Sequence, residues 1–216
     1  MKNGKSRSKP KINFCVFCGS GEGKNPKYAK AAEKLGAKMA KADIGLVYGG
    51  GSLGLMGITA KSVLDNNGYV TGIIPEFLGD REMMLQDVNE LIVTKDMHER
   101  KGLMFKHSDA FIALPGGVGT LEELVEQLTW SQLGQHKKPI YLADIDSFWD
   151  PLIDLVNHMR EERFIRPGLE LNYKVLKSVD RMVPSILSQI EKIKTQEKRQ
   201  DKRKGKRTPD DIIANF

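Results

Sequence analysis

Three glycine-rich segments each follow a short apolar run and precede a helical pattern, and they are the first places where this chain could do chemistry. They are 18–23 (CGSGEG), 49–54 (GGGSLG) and 115–120 (PGGVGT). Glycine lets the backbone approach an anion closely, and a helix N-terminus adds a partial positive charge. We therefore predict a phosphate-bearing ligand, with Gly19, Ser20 and Gly116 among its contacts. A tight turn is the alternative explanation for any one segment taken alone.

Charged side chains cluster at two predicted helix starts. The clusters are 96–101 (DMHERK) and 120–123 (TLEE). Cations in the first turn of a helix are unfavourable with its dipole, so Arg100 and Lys101 indicate a role beyond a solvated helix surface. Thr120 with Glu123 also fits a capping box, in which both side chains satisfy helix N–H groups without a ligand. The local pattern leaves both interpretations of Glu123 open.

The second glycine-rich segment matches the dinucleotide-binding pattern G-x-G-x-x-G, which makes a dinucleotide-dependent oxidoreductase an alternative. That pattern belongs after the first strand of a sheet, with an acidic residue at the end of the next strand. Here the next strand leads into Pro75 and Glu76 instead. None of the three segments carries the Gly-Lys-Ser/Thr of a Walker sequence, which disfavours nucleoside triphosphate hydrolysis.

Metal and redox chemistry lack the residues they need in this sequence. Cys15 and Cys18 form a C-x-x-C, but Cys15 lies inside a predicted strand rather than at a helix start, where a thiolate would be stabilised. No metal-ligand spacing relates the four histidines, which are His98, His107, His136 and His158. We expect structural cysteines, no metal and no cofactor.

Short apolar runs alternate with amphipathic patterns along the body of the chain. The candidate strands are 12–17, 44–48, 69–74, 90–94, 110–114, 140–143 and 175–179. The candidate helices are roughly 26–42, 55–67, 97–108, 120–133, 148–161 and 184–194. Such a βαβ series predicts a single Rossmann-like α/β fold: a doubly wound, mostly parallel sheet with helices on both faces. Ligands of such sheets bind where strands lead into helices, which is where the glycine-rich segments lie.

Charge is distributed unevenly along the 216 residues. The net charge is +6, yet residues 1–11 hold five Lys/Arg and residues 191–216 hold nine, which leaves 20 basic against 23 acidic side chains in residues 12–190. We expect a folded domain at 12–195 between a basic N-terminal tail and a basic C-terminal tail at 196–216, both disordered. Nucleic acid would contact this protein only through the tails.

Hydropathy and cysteine content restrict the expected compartment. No uncharged apolar run approaches the roughly 18 residues that span a bilayer. The apolar segment behind the basic start is too short for a signal peptide, and two cysteines are too few for a disulfide framework. We therefore expect a cytoplasmic protein without membrane contact.

The segments 114–123 (LPGGVGTLEE) and 96–101 (DMHERK) resemble the PGGxGTxxE and MHxRK signatures of the LOG ("lonely guy") family, the cytokinin riboside 5′-monophosphate phosphoribohydrolases. The similarity covers nearly all of the body and neither tail; it extends through 18–20 (CGS), 48–51 (YGGG), 74–75 (IP), 107–111 (HSDAF) and 129–134 (TWSQLG). The resemblance implies a homodimer that cleaves the N-glycosidic bond of N6-modified AMP to free base and ribose 5-phosphate. Some relatives are labelled lysine decarboxylases, but no residue here marks a pyridoxal phosphate lysine.

The family's functional residues transfer to this sequence by motif position. Arg100 and Glu123 match the catalytic pair. The nucleotide-binding positions match Glu82, Lys101, Gly117, Val118, Gly119, Thr120, Leu121, Glu122 and Thr129. A carboxylate at Glu123 suits an oxocarbenium-like centre and its attacking water, whereas the Arg100 guanidinium suits either the departing purine or the phosphate. A non-enzymatic nucleotide carrier or sensor is the remaining alternative.

Overall fold

Seven parallel strands form one sheet in the computed structural model, which describes residues 7–78 and 84–204. The strands are β1 (Asn13–Phe17), β2 (Gly45–Tyr48), β3 (Val70–Pro75), β4 (Glu90–Thr94), β5 (Ala110–Ala113), β6 (Ile140–Ala143) and β7 (Lys174–Leu176). Their order across the sheet is β4-β3-β2-β1-β5-β6-β7. The predicted fold class is confirmed, and the strands agree closely with the apolar runs because buried parallel strands require such runs.

Helices cover both faces of the sheet. They are α1 (Pro26–Lys41), α2 (Gly54–Asp65), α3 (Met97–Lys106), α4 (Val118–Gln132), α5 (Asp150–Glu161) and α6 (Met182–Lys204). Successive strand residues point to opposite faces of the sheet. Phe14 packs in the core formed with α1, α2 and α6, whereas Cys15 packs in the core formed with α3 and α4. In the described part of the chain, every helix is too short or too polar to cross a bilayer.

The order in which the chain adds strands to the sheet changes direction between β1 and β5. The first three connections step from β1 outward to β4, and α3 then carries the chain back to β5 on the other side of β1. Cys15 of β1 pairs with both Val47 and Phe111, so β1 is the centre of the sheet. A crevice opens at the carboxyl ends of the strands at such a switch point, and ligands of open α/β sheets bind there.

Part of each predicted tail lies within the described residues. Lys9 donates to Glu90 at 2.6 Å and Pro10 is buried, so residues 7–11 pack on the domain. Helix α6 runs to Lys204, past the predicted end at 194, because residues 191–204 are rich in Lys, Arg, Glu and Gln, which favour helices. Residues 191–199 are largely exposed, so this extension adds little to the core.

Candidate active site

The third glycine-rich segment forms the start of α4 at the switch point. Gly117 is the N-cap of this helix, and no side chain caps it. The capping-box interpretation of Thr120 and Glu123 is therefore wrong: the helix begins at Val118, so both residues lie inside it. The N–H groups of a first helical turn lack partners within the helix, which suits them to bind an anion.

Gly116 allows the segment to pack tightly beneath the helix start. A Cβ at Gly116 would collide with the Thr120 side chain and would lie 2.8 Å from the Gly19 nitrogen. The Gly19 N–H donates to the Pro115 carbonyl at 3.1 Å, which joins the first and third glycine-rich segments. The two segments thus form one rigid floor at the carboxyl edge of the sheet.

Arg100 lies in the second turn of α3 and is buried, with 6% of its surface exposed. The Asp96 side chain caps this helix by accepting the Glu99 N–H at 2.8 Å. The Arg100 Nε donates to the Ile73 carbonyl at 3.1 Å, and its Nη2 lies 3.5 Å from the Gly49 carbonyl. Two backbone carbonyls from separate elements therefore fix the guanidinium, as a positioned functional group requires.

Glu123 faces Arg100 from the neighbouring helix. The Arg100 Nη1 and the Glu123 Oε1 are 3.2 Å apart, and both side chains are at least nine-tenths buried. Burying two charges is costly, and such a pair is weak evidence for a purely stabilising role. A carboxylate and a guanidinium thus share one wall at the switch point, where ligands of this fold bind.

A cavity of about 240 Å³ lies between this ion pair and the start of α4. It brings together eight of the predicted site residues, which are Gly19, Ser20, Arg100, Gly117, Val118, Gly119, Thr120 and Glu123. A Cβ at Gly117 or Gly119 would meet no atom of the described residues within 4 Å. The protein's own packing therefore does not require glycine at these two positions, whereas close approach of a ligand to the backbone would.

Lys101 and Glu122 form a separate ion-pair group beside the cavity. The Lys101 Nζ contacts Glu122 and lies 3.0 Å from the Glu126 Oε1. Burial opposes the charge of Lys101, but its hydrogen bonds to the two glutamates outweigh burial and raise its pKa. Lys101 is thus held as a cation, and its predicted contact with nucleotide stays a prediction.

Three other predicted residues of the described part of the chain do not line this cavity. Gly116 lines a neighbouring cavity of about 320 Å³ instead, and Leu121 packs against the core on the α4 side of the sheet. Thr129 is exposed more than two turns along α4 and donates its hydroxyl to the Val125 carbonyl at 2.8 Å. Glu82 lies outside the described residues. Their assignment to nucleotide binding therefore stays a prediction.

Sequence reasoning missed two residues that line the cavity. Cys18 and Met56 both contribute to its wall. Each lies within or just after a glycine-rich segment, so proximity to the predicted anion site could have indicated them. The other cysteine, Cys15, is fully buried in β1, and burial raises the pKa of its thiol well above the usual value. A thiol in that state is inert, in accord with the expected structural role.

Curated proteins from plants are similar in sequence to most of this chain. The chain is 50% identical over 165 residues to cytokinin riboside 5′-monophosphate phosphoribohydrolase LOG3 of Arabidopsis thaliana, covering 76% of this chain and 77% of that protein. It is 49% identical over 154 residues to the probable cytokinin riboside 5′-monophosphate phosphoribohydrolase LOGL2 of Oryza sativa subsp. japonica, covering 71% of this chain and 63% of that protein. A family model described as "Possible lysine decarboxylase" matches residues 56–186. The chain belongs to the LOG family.

Solved structures resemble this LOG family member in fold. The Moco carrier protein from Chlamydomonas reinhardtii superposes with a TM-score of 0.62 at 20% identity, over 86% of this chain and 99% of that one. The molybdenum cofactor binding protein from Rippkaea orientalis gives a TM-score of 0.61 at 24% identity, over 84% and 98%. These structural similarities support the Rossmann-like architecture, and they do not identify a ligand.

Proposed function

We propose that this protein hydrolyses the N-glycosidic bond of an N6-modified adenosine 5′-monophosphate, with water as co-substrate and the free base and ribose 5-phosphate as products. The observation that carries this proposal is the buried pair of Arg100 and Glu123 at 3.2 Å, beside the open glycine-rich start of α4. The close sequence relatives named above are phosphoribohydrolases for cytokinin riboside 5′-monophosphates, which supports the same reaction here.

The start of α4 would hold the 5′-phosphate. Residues 117–120 line the cavity there, and the helix dipole favours negative charge at that end. With the phosphate at this end of the cavity, the ribose would extend toward Glu123, which lies one turn further along the helix.

Cleavage of an N-glycoside builds positive charge on the ribose and negative charge on the departing purine. A carboxylate close to the anomeric carbon stabilises the oxocarbenium-like centre and orients the attacking water. Glu123 would take this role. The Arg100 guanidinium, fixed by two carbonyls, would offset the charge that develops on the base.

Lysine decarboxylation, which the description of the family model suggests, does not fit the residues at this site. A lysine that forms a Schiff base with pyridoxal phosphate needs a lowered pKa. Lys101 is the lysine adjacent to Arg100, and its two glutamate partners raise its pKa instead. We derive no step through pyridoxal phosphate.

We also propose that the protein is a cytoplasmic homodimer. Val118 and Val125 of α4 and Leu133, the residue that follows it, are 83%, 43% and 65% exposed, and they offer apolar surface to a second copy. Two cysteines are too few for a disulfide framework, which favours a reducing compartment. Sedimentation should give twice the 24.2 kDa of the chain, and a monomer at assay concentration would contradict the dimer.

Incubation with AMP and with N6-isopentenyl-AMP tests the proposed reaction. We expect chromatography to detect free base and ribose 5-phosphate in equal amounts from at least one nucleotide, and Arg100→Ala to abolish both products. Binding of nucleotide without product would favour the carrier or sensor alternative. Dependence on added NAD(P) would favour an oxidoreductase.

A further inference from the structure

The two basic segments that the proposed reaction does not use come together at one edge of the sheet. Residues 7–11 lead into β1, and Lys9 pairs there with Glu90, the first residue of β4, at 2.6 Å. Helix α6 reaches the same edge, because side chains between 190 and 197 line a cavity with residues 135–139, which precede β6. All seven strands are parallel and begin at this edge, so it lies opposite the glycine-rich segments. We call it the amino edge.

Two adjoining cavities, of about 310 and 280 Å³, form a groove along the amino edge. Their charged lining consists of five lysines and two carboxylates, which are Lys9, Lys106, Lys137, Lys138, Lys194, Asp109 and Glu197. Residues 12–190 as a whole hold more acidic than basic side chains. The positive charge of this groove, which we call the basic groove, is therefore a local feature of the fold.

Most lysines of the basic groove have no anionic partner. Lys106, Lys137, Lys138 and Lys194 form no ion pair with any residue that the structure describes. Asp109 already uses one carboxylate oxygen, which accepts the Asn13 backbone N–H at 2.9 Å. A groove lined by cations of this kind concentrates its field on an anionic partner.

Lys138 is held in place inside the basic groove. Its backbone N–H donates to the His136 Nδ1 at 3.1 Å, and its Nζ donates to the Phe105 carbonyl at 2.7 Å. The same Nζ lies 3.7 Å from the centroid of the Phe105 ring. An ammonium group has three donors, so Lys138 keeps one for a ligand. Burial lowers the pKa of Lys138, and a neighbouring anion would favour its charged form.

Helix α6 continues the positive charge beyond the basic groove. Residues 191–204 hold seven Lys/Arg and three Asp/Glu, and the helix from 194 to 204 is about 15 Å long. Such an extended row of cations fits a long polymer with regularly spaced phosphates better than a single small anion. A flat lipid surface would meet the rim of the groove and leave the half-buried Lys138 without a partner.

We propose that the amino edge binds nucleic acid through its phosphate backbone, with Lys137, Lys138 and Lys194 contacting phosphates. The sequence analysis assigned such contact to the tails alone, and the structure adds lysines of the folded domain. Phosphate contacts carry no sequence information, so binding is independent of base sequence. The surface lies at the opposite edge from Arg100 and Glu123, so this inference goes beyond the proposed reaction and does not rest on it.

Fluorescence anisotropy with a labelled DNA duplex of about 20 base pairs tests the inference, because affinity for phosphates falls with salt in proportion to the number of contacts. We expect the full chain to bind this duplex with a Kd that rises steeply with salt concentration. Lys137→Gln, Lys138→Gln and Lys194→Gln together should raise the Kd at least about tenfold and lower the slope of log Kd against log salt by about three. Lys137→Gln with Lys194→Gln, which changes only exposed residues, should lower the slope by about two.

The matched control removes the same charge elsewhere. Lys30→Gln, Lys61→Gln and Lys177→Gln together change three exposed lysines of α1, α2 and the segment after β7. We expect the Kd of this variant for the duplex to stay within about twofold of the wild-type value. A thermal melt of each variant establishes that it is folded.

The inference is overturned if the full chain does not bind the duplex at low salt, or if the control weakens binding as much as the groove variants do. Equally tight binding of polyglutamate would show that the edge responds to negative charge alone. Binding to phosphatidylserine vesicles but not to the duplex would identify a lipid surface instead. Saturating AMP, tested in the Glu123→Gln protein, should leave the duplex Kd unchanged, and competition would contradict placement at the amino edge.

Discussion

The second and third glycine-rich segments look alike in the sequence, yet their glycines have different surroundings in the structure. In the second segment, a Cβ at Gly49 would collide with the Arg100 guanidinium, and Gly50 has a φ of +81°. In the third segment, Gly117 and Gly119 adjoin no atom that would exclude a Cβ among the described residues. In the second segment, Gly49 thus leaves room for the Arg100 side chain, whereas Gly117 and Gly119 of the third segment border space that the described residues do not fill.

This difference shows that a glycine pattern alone does not distinguish glycines required by the protein's own packing from glycines required by a bound ligand. The literal G-x-G-x-x-G match is the segment whose glycines the protein's own contacts explain. It also follows β2, one strand away from the switch point. A dinucleotide fingerprint would instead follow the first strand and meet the pyrophosphate directly.

The third segment should make binding depend on the 5′-phosphate. We expect adenosine to bind at least two orders of magnitude more weakly than AMP, because several charge-assisted hydrogen bonds at about 1.5–3 kcal/mol each would be lost. Calorimetry on the Glu123→Gln protein measures both affinities without turnover. Equal affinities would show that this segment is not a phosphate site and would remove the contrast with the second segment.

The second segment should affect turnover rather than phosphate binding. Gly49→Ala forces Arg100 to shift, and misplacement of a catalytic group by about 1 Å can cost 10²-fold in rate. We expect kcat to fall by about that factor while the Kd for ribose 5-phosphate stays near the wild-type value. Unchanged kcat in a folded Gly49→Ala protein would mean that Arg100 takes no part in the reaction.

Gly119→Ala is the matched substitution in the third segment. The residue lies in the first turn of α4 with space for a methyl group, and alanine favours helix over glycine by about 1 kcal/mol. We expect thermal stability equal to or above wild type, together with a rise of about tenfold in the Kd for AMP, since one charge-assisted contact would be perturbed. Lower stability with unchanged AMP affinity would assign this glycine to packing, like those of the second segment.

Deletion of residues 196–216 should have the smallest effect. Ile190 is the last buried residue among those of α6 up to 199, the part of the helix whose burial is described, and residues 196 to 199 are exposed. Changes to exposed residues usually alter the free energy of unfolding by no more than about 0.5 kcal/mol. The Arg100–Glu123 site lies at the switch point, so we expect hydrolysis to be retained. Loss of hydrolysis with an unchanged far-UV circular dichroism spectrum would show that the tail reaches the active site.

Local sequence pattern was enough to predict the elements but not the contacts between them. The strand β4 has the predicted bounds, because an apolar run between polar residues marks a strand directly. The start of α4 differs by two residues from the prediction of 120. That small difference removes the capping-box role of Glu123, since a capping box needs Thr120 outside the helix.

The position of Arg100 shows a second limit of local pattern. Its unfavourable place near a helix N-terminus indicated a special role, but its partners Ile73, Gly49 and Glu123 come from three separate elements. Contacts between distant segments depend on the sheet order, which no local spacing encodes. The neighbouring cavity lined by Tyr28 and Phe148 was missed for the same reason, because these two residues are far apart in sequence.

The central claim is that Glu123 is a catalytic carboxylate and not only the charge partner of Arg100. Glu123→Gln tests it most directly, measured as kcat for release of base from N6-isopentenyl-AMP, with a thermal melt and the Kd for ribose 5-phosphate to establish a folded, ligand-binding protein. An amide can neither stabilise an oxocarbenium centre nor help to deprotonate water, so we predict a fall in kcat of about 10²–10⁴-fold with ribose 5-phosphate binding retained. A folded Glu123→Gln protein that keeps more than about a tenth of wild-type turnover would contradict the claim, since loss of a general base costs far more.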